Sequence, residues 1–172
     1  MPPACLSDWR SGWRKAAEEM SAMKQSGLFE EPKGSTGKFD VIAHIDGGAR
    51  GNPGPAAYGV IVRNASGAVV AELSDYLGMQ TNNHAEYSGL LAALEYAAKA
   101  QYQSLKVFSD SELLVRQMQG RYKVSSPSLK PLYDKARLLV QKFHVFNIEH
   151  VLREKNKDAD RLVNQCLDAR SR

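Results

Sequence analysis

From residue 39 onward the sequence reads as three strands in succession and then as strands alternating with helices, an order that few folds accommodate. Phe39–Asp46 alternates apolar and polar residues and ends at a glycine-rich stretch, Gly47–Pro55, which reads as a tight loop. Tyr58–Arg63 and Ala68–Leu77 follow as strands, and the turn residues Asn64-Ala-Ser-Gly67 between them predict a hairpin. Asn83–Lys99, rich in Ala and Leu, predicts a helix. A short strand, Leu105–Ser109, then runs straight into a helix over Ser111–Gln119. A further helix is expected over Ser128–Lys142, with Pro127 and Pro131 in or near its first turn. Phe146–Leu152 reads as the last strand and Lys157–Arg170 as the last helix. Adjacent antiparallel strands followed by strand–helix alternation imply a mixed sheet with helices packed on it, an α/β architecture.

Residues 1–38 stand apart as an N-terminal extension to a domain spanning 39–172. Ser7 or Asp8 can cap a helix running to about Gln25. On it Trp9, Trp13, Ala16, Met20 and Met23 recur at helical spacing, beside Arg10, Arg14 and Lys15. Glu31–Gly37 reads as a linker. The stripe suits a core-docking helix or an arm that binds nucleic acid or a partner. No run approaches the roughly 18 apolar residues of a membrane span. Cys5 and Cys166 sit at opposite ends without metal-ligand spacing, which suits a reduced, cytoplasmic setting.

Four acids occupy positions that packing alone would not choose. Asp46 ends an apolar alternation and opens the glycine-rich turn; turn chemistry alone explains an Asp there. Glu86 shares a helix face with Leu90, Ala93, Leu94 and Ala97, where a carboxylate needs a partner or a cation, unless it serves the helix N-terminus from the first turn. Asp110 lies at the carboxyl end of a strand, where ligands of α/β sheets collect, and could equally cap the next helix. Asp160 falls in the first turn of the last helix, with Asn156 available as its cap. Each acid has an ordinary explanation, but all four explanations must hold together. Gathered in one place, the four would need cations, and an all-oxygen set suits Mg²⁺, with Mn²⁺ able to substitute. Two such ions can activate a water and stabilise a leaving oxygen in phosphodiester cleavage. With four of its 19 acids withdrawn into that site, the chain sets 23 cationic side chains against 15 anionic ones, a surface suited to a polyanion.

The ordered segments Asp46-Gly-Gly-Ala-Arg-Gly-Asn-Pro-Gly-Pro55, Thr81-Asn-Asn-His-Ala-Glu86, Ser109-Asp-Ser111 and Arg153-Glu-Lys-Asn-Lys-Asp-Ala-Asp160 resemble the motifs of type 1 ribonuclease H. The resemblance covers residues 39–170. No single segment is decisive, but their order is, with 40 residues from Asp46 to Glu86, 24 from Glu86 to Asp110 and 50 from Asp110 to Asp160. It implies a ribonuclease H-like fold, a five-stranded mixed sheet flanked by helices, and a metal-dependent endonuclease that cleaves the RNA strand of RNA·DNA hybrids. The products expected have 5′-phosphate and 3′-hydroxyl ends. By the resemblance Asp46 serves both ions, Glu86 and Asp110 complete one site, and Asp160 completes the other. Gly51, Asn52, Asn82, Asn83 and Ser111 become the expected substrate contacts. The asparagines suit the 2′-hydroxyl because amides both donate and accept without adding charge beside a metal; Asn52 also belongs to a turn signal, Asn-Pro-Gly.

The chain departs from many bacterial relatives in lacking the long basic handle between its third and fourth acids. Only Arg121-Tyr-Lys123 supplies basic character there, so the resemblance is to the branch without the handle. His150, ten residues before Asp160, matches the place of an assisting histidine, although it also shares a strand face with Phe146 and Ile148. Arg153 is suited to gripping phosphate through its planar fork. His44 and His84 read as structural. Partners expected are the hybrid and other RNA-containing duplexes, with no membrane and a monomeric chain. The alternatives are a nuclease of the same fold acting on double-stranded RNA or DNA, a non-catalytic nucleic-acid reader, and a structural scaffold.

Overall fold

The computed structural model describes residues 39–171, so the expected N-terminal helix, its linker and Cys5 lie outside the described residues. Among the described residues there are five strands: β1 Val41–Ala49, β2 Gly54–Asn64, β3 Val69–Gln80, β4 Ser104–Ser109 and β5 Val145–His150. Four α-helices accompany them there: α1 Asn82–Lys99, α2 Glu112–Met118, α3 Lys130–Val140 and α4 Lys157–Arg170, with a 3₁₀ turn at Arg153–Lys155. The strands form one mixed sheet in the order β3-β2-β1-β4-β5. β1, β2 and β3 pair antiparallel, whereas β4 lies parallel to β1 and β5 parallel to β4. This is the five-stranded mixed sheet with flanking helices that the sequence implies.

The hairpin between β2 and β3 closes as its turn residues predict. Asn64 Oδ1 accepts from the amides of Ser66 and Ala68, and Gly67 takes a positive φ of 88°. The first loop is shorter than expected. β1 continues through Asp46, Gly47 and Gly48 to Ala49, paired against Ala56–Gly59, which leaves Arg50–Pro53 as the turn. Backbone pairing does not need large side chains, so the ladder persists where the hydrophobic alternation stops. The helix expected over Ser128–Lys142 is α3, Lys130–Val140, so it starts two residues later and ends two earlier, with Pro131 in its first turn.

The main core lies on one sheet face. Val41, Ala43 and Ile45 of β1, Val60 and Val62 of β2 and Leu105 and Val107 of β4 are buried with Leu90, Ala93, Leu94 and Ala97 of α1. Burying one such leucine contributes about 2 kcal/mol. α4 packs on the opposite face, where Val163 and Leu167 bury Ala57. The alternation is visible at adjacent residues of β2: Tyr58 faces Gly89 of α1, while Gly59 faces Ala159 and Leu162 of α4. No described helix is long and apolar enough to cross a membrane.

Candidate active site

Asp46 lies in β1 between these two layers and is 7% exposed. Two close approaches bring helices to it. A Cβ on Gly47 would collide with the backbone of Ala85 and Glu86, and one on Gly89 would stand 3.1 Å from the Asp46 carbonyl oxygen. The missing side chains therefore seat α1, and with it Glu86, against β1. On the other face Gly59 is the direct partner of Asp46, and a Cβ there would stand 2.5 Å from the Ala159 carbonyl oxygen. That contact seats the first turns of α4, which carry Asp160. The parallel pairing of β1 with β4 ends at Ile45 and Ser109, so Asp46 and Asp110 follow each other off neighbouring strands.

Carboxylate oxygens of Asp46, Glu86 and Asp110 lie within 4.8 Å of one another. Asp160 stands outside that trio, with Arg153 Nη2 3.4 Å and Asn164 Nδ2 3.2 Å from its carboxylate oxygens. It is close enough to influence Asp46. Burial pushes the Asp46 carboxyl up to about 8, reinforced by repulsion from Asp110, Asp160 and Glu86 and opposed by a hydrogen bond from the Gly47 backbone. Burial also pushes Glu86 up to about 7, a hydrogen bond from Ser111 opposing it and Asp110 adding repulsion. Asp46 is thus the acid that senses all three others.

The ordinary explanations of these acids fare unevenly. Glu86 is not in the first turn: Thr81 caps α1, its hydroxyl accepting from the His84 amide at 3.2 Å, and Glu86 is the fifth helical residue. Asp110 does not cap α2 either, because the hydroxyl of Ser111 accepts from the Leu114 amide at 3.2 Å. Asp110 Oδ1 is buried without a hydrogen-bond partner among the described residues. Asp160 does lie in the first turn of α4. The side chain of Asn156 makes no capping hydrogen bond there, contrary to expectation, and instead donates to the Ile45 carbonyl at 2.7 Å.

Two of the expected substrate residues, Asn52 and Asn82, are tied to each other and to the end of β1. Asn82 Oδ1 accepts from the Ala49 amide at 2.8 Å, and Asn52 Oδ1 accepts from the Asn82 amide at 3.2 Å. Both amide oxygens are therefore committed to the fold, while the Nδ2 groups make no hydrogen bond among the described residues. Gly51 adopts a φ of +98°, a conformation that glycine tolerates, and Asn83 is exposed. His150 is exposed, its Nε2 3.2 Å from the Asp110 carbonyl oxygen. His44 stacks on Phe108 with ring centroids 5.0 Å apart, and no histidine joins the carboxylate trio.

An orphaned buried Asp110 oxygen, three converging carboxylates and two raised acids fit a hard divalent cation with oxygen ligands. A family profile described as "Reverse transcriptase-like" matches residues 44–166. The chain is 42% identical to the ribonuclease HI of Halobacterium salinarum over 128 residues, 74% of this chain and 64% of that protein. The crystal structure of that archaeon's RNase H1 superposes with a TM-score of 0.73, covering 75% of this chain and 98% of the solved one.

The chain belongs to the type 1 ribonuclease H family.

Within that family it is also similar to the N-terminal RNase H domain of Rv2228c from Mycobacterium tuberculosis, at 46% identity and a TM-score of 0.74 over 76% of this chain and 95% of that domain. The chain spans 36% of the length of the whole bifunctional mycobacterial protein. A third relative, LC11-RNase H1, was solved in complex with an RNA/DNA hybrid; it is 42% identical with a TM-score of 0.72, over 77% of this chain and 99% of that one. Gly89, beside Glu86 on its helix, is the position where the sequence itself suggests a close approach, and the structure shows one. What sequence reasoning missed in this ribonuclease H domain is the rest of the residues that seat the acids: Gly47, Gly59 and the inward-turned Asn156. An apolar Gly-free alternative at any of these places reads equally well on the page, so periodicity alone gives no signal for them.

Proposed function

We propose that this chain is an endonuclease that hydrolyses the RNA strand of RNA·DNA hybrids, leaving 5′-phosphate and 3′-hydroxyl ends. The observation that carries the reading is the trio Asp46, Glu86 and Asp110 beside Asp160, in a chain whose relative LC11-RNase H1 binds such a hybrid. The four carboxylates would hold two Mg²⁺ ions, or Mn²⁺ in their place, which supply Lewis acidity toward the attacking water and the leaving oxygen. Asp46, repelled by all three other acids, is the residue suited to both ions.

The chain's own residues then divide the remaining work. Asn52 and Asn82, their oxygens fixed by the fold, present Nδ2 donors to a 2′-hydroxyl, with the Gly51 backbone, Asn83 and Ser111 alongside. Arg153 exchanges its long contact with Asp160 for a backbone phosphate. His150, its Nε2 beside the Asp110 carbonyl oxygen, would be the group that assists the departing oxygen. Residues 39–172 act as the catalytic domain, a monomer in a cytoplasmic setting, with residues 1–38 as an extension.

The test uses end-labelled RNA·DNA hybrid with Mg²⁺, beside an Asp110→Asn variant and a metal-free control. Metal-dependent RNA cleavage that disappears in the variant is expected. Parallel double-stranded RNA and DNA should be cut far less. Folded wild type that leaves the hybrid intact in both Mg²⁺ and Mn²⁺ would sink the reading.

A further inference from the structure

Asp46 and Asp160 reach the site from opposite ends of the domain's sequence, on different elements, and their mutual placement needs a link. α4 is docked on the sheet by Val163 and Leu167 over Ala57 and by its close approach at Gly59. Those contacts hold the helix on the sheet, and the approach at Gly59 reaches its first turn through Ala159. The residue just before that turn adds a hydrogen-bonded link of its own to β1.

Asn156 occupies that place. It is 1% exposed, and it stands between the 3₁₀ turn and α4. Its Nδ2 donates to the Ile45 carbonyl at 2.7 Å, a link across 111 residues. Ile45 is the residue immediately before Asp46. The Asn156 carbonyl accepts from the Asp160 amide at 3.2 Å, and its own amide donates to the Arg153 carbonyl at 3.0 Å. One residue therefore touches the strand position next to the first acid, the backbone of the fourth acid and the backbone of Arg153. Its Oδ1 is buried and has no hydrogen-bond partner among the described residues, so the hydrogen bonds of this side chain there come down to the one that Nδ2 gives Ile45.

We infer that Asn156 is a positioning residue that fixes Asp160 relative to Asp46, so that the fourth carboxylate is preorganised for the cation. Metal sites lose affinity when the groups that orient their ligands are removed, even though the ligands remain. The inference rests on the proposed metal-dependent chemistry, and it predicts a defect in cation uptake that appears before any nucleic acid is added.

The experiment compares wild type with Asn156→Ser and Asn156→Asp, both of which remove the Nδ2 donor. Leu139→Ala, a buried residue of α3, serves as a destabilised control. Mn²⁺ uptake without nucleic acid is followed by electron paramagnetic resonance, with circular dichroism and thermal midpoints recorded on the same samples. The Asn156 variants should need about 10–100-fold more Mn²⁺ for half-saturation. Leu139→Ala should lose thermal stability and keep the wild-type uptake curve. Wild-type uptake by folded Asn156 variants overturns the inference, as does an equal shift in Leu139→Ala. Two Asn156 variants that fail to fold would also overturn it, by assigning Asn156 to the fold as a whole. Wild type that takes up Mn²⁺ with the expected Asn156 dependence yet leaves hybrid uncut would sink the proposed nuclease and leave this inference standing.

Discussion

Gly47 of β1 lies flush against the backbone of Glu86 in α1, with no room for a methyl group between them. Backbone atoms cannot rotate out of the way as a side-chain tip can, so Gly47→Ala must push α1 off the sheet. Overpacking of this kind costs about 3 kcal/mol and displaces Glu86 from Asp46 and Asp110. Gly67→Ala is the contrast: its Cβ would meet nothing within 4 Å, and only its φ of 88° resists, for about 1 kcal/mol. Urea denaturation at constant m-value separates the two. A Gly47→Ala protein as stable as wild type would mean that α1 does not need this approach.

The raised acids give the metal-free protein an inverted pH dependence. A carboxyl with a higher pKa when folded binds its proton more tightly in the fold, so its contribution is present at low pH and lost as pH rises through the folded value. For Asp46 the window runs from its ordinary value of 3.8 to about 8, and for Glu86 from 4.5 to about 7. Burial, and Arg63 beside His44, lower the histidines His44 and His84 below 6.5, which acts in the opposite sense at mildly acidic pH. The informative quantity is therefore the difference between wild type and Asp46→Asn. In chelator, wild type should lose stability relative to the variant between pH 5 and pH 8.5, by an amount of the order of a few kcal/mol. Added Mg²⁺ should stabilise wild type more at pH 8.5 than at pH 5, because binding competes with those protons. A difference that stays flat with pH would show that burial and the neighbouring acids do not raise the Asp46 carboxyl in solution.

The acids drew attention in the sequence only jointly, since each alone has an ordinary explanation, and the structure brings Asp46, Glu86 and Asp110 together. The fold was legible because strand and helix periods are strong signals at Phe39–Asp46 and Asn83–Lys99. Glu86 stands on the Leu90–Leu94 face as its spacing says, whereas its supposed first-turn role dissolved once Thr81 proved to be the cap. The role of Asn156 was misread for a physical reason. An Asn before a helix has two ways to use its amide, toward the helix N-terminus or across to another element, and only the long-range packing of Ile45 decides between them. The loop Gly47–Pro55 was overextended for a similar cause: Gly47 and Gly48 carry no strand signal, yet their backbones are paired.

Asn82 has two tasks that one substitution can separate. Its Oδ1 holds the Ala49 amide, and its Nδ2 is the donor proposed for the 2′-hydroxyl. Asn82→Asp keeps an acceptor for Ala49 and loses the donor, so stability should stay within about 0.5 kcal/mol of wild type while the KM for hybrid rises about tenfold. Asn82→Ala loses both and should also cost about 1 kcal/mol of folding stability. Steady-state kinetics beside thermal denaturation would decide it; equal kinetic effects without any difference in stability would remove the structural half of the argument.

His150 ends β5 with its ring exposed and Nε2 3.2 Å from the Asp110 carbonyl oxygen. An exposed contact of this sort adds little to folding, so His150→Ala should leave stability within about 0.5 kcal/mol of wild type. If Nε2 carries a proton toward the departing oxygen, the same change should lower kcat about 100-fold with KM for hybrid nearly unchanged, since the ring would act in the transition state rather than in binding. Steady-state cleavage over a range of hybrid concentrations separates kcat from KM on one substrate. A variant with wild-type kcat would restrict His150 to its contact with the Asp110 backbone, leaving Arg153 as the group beside Asp160 that meets the phosphate.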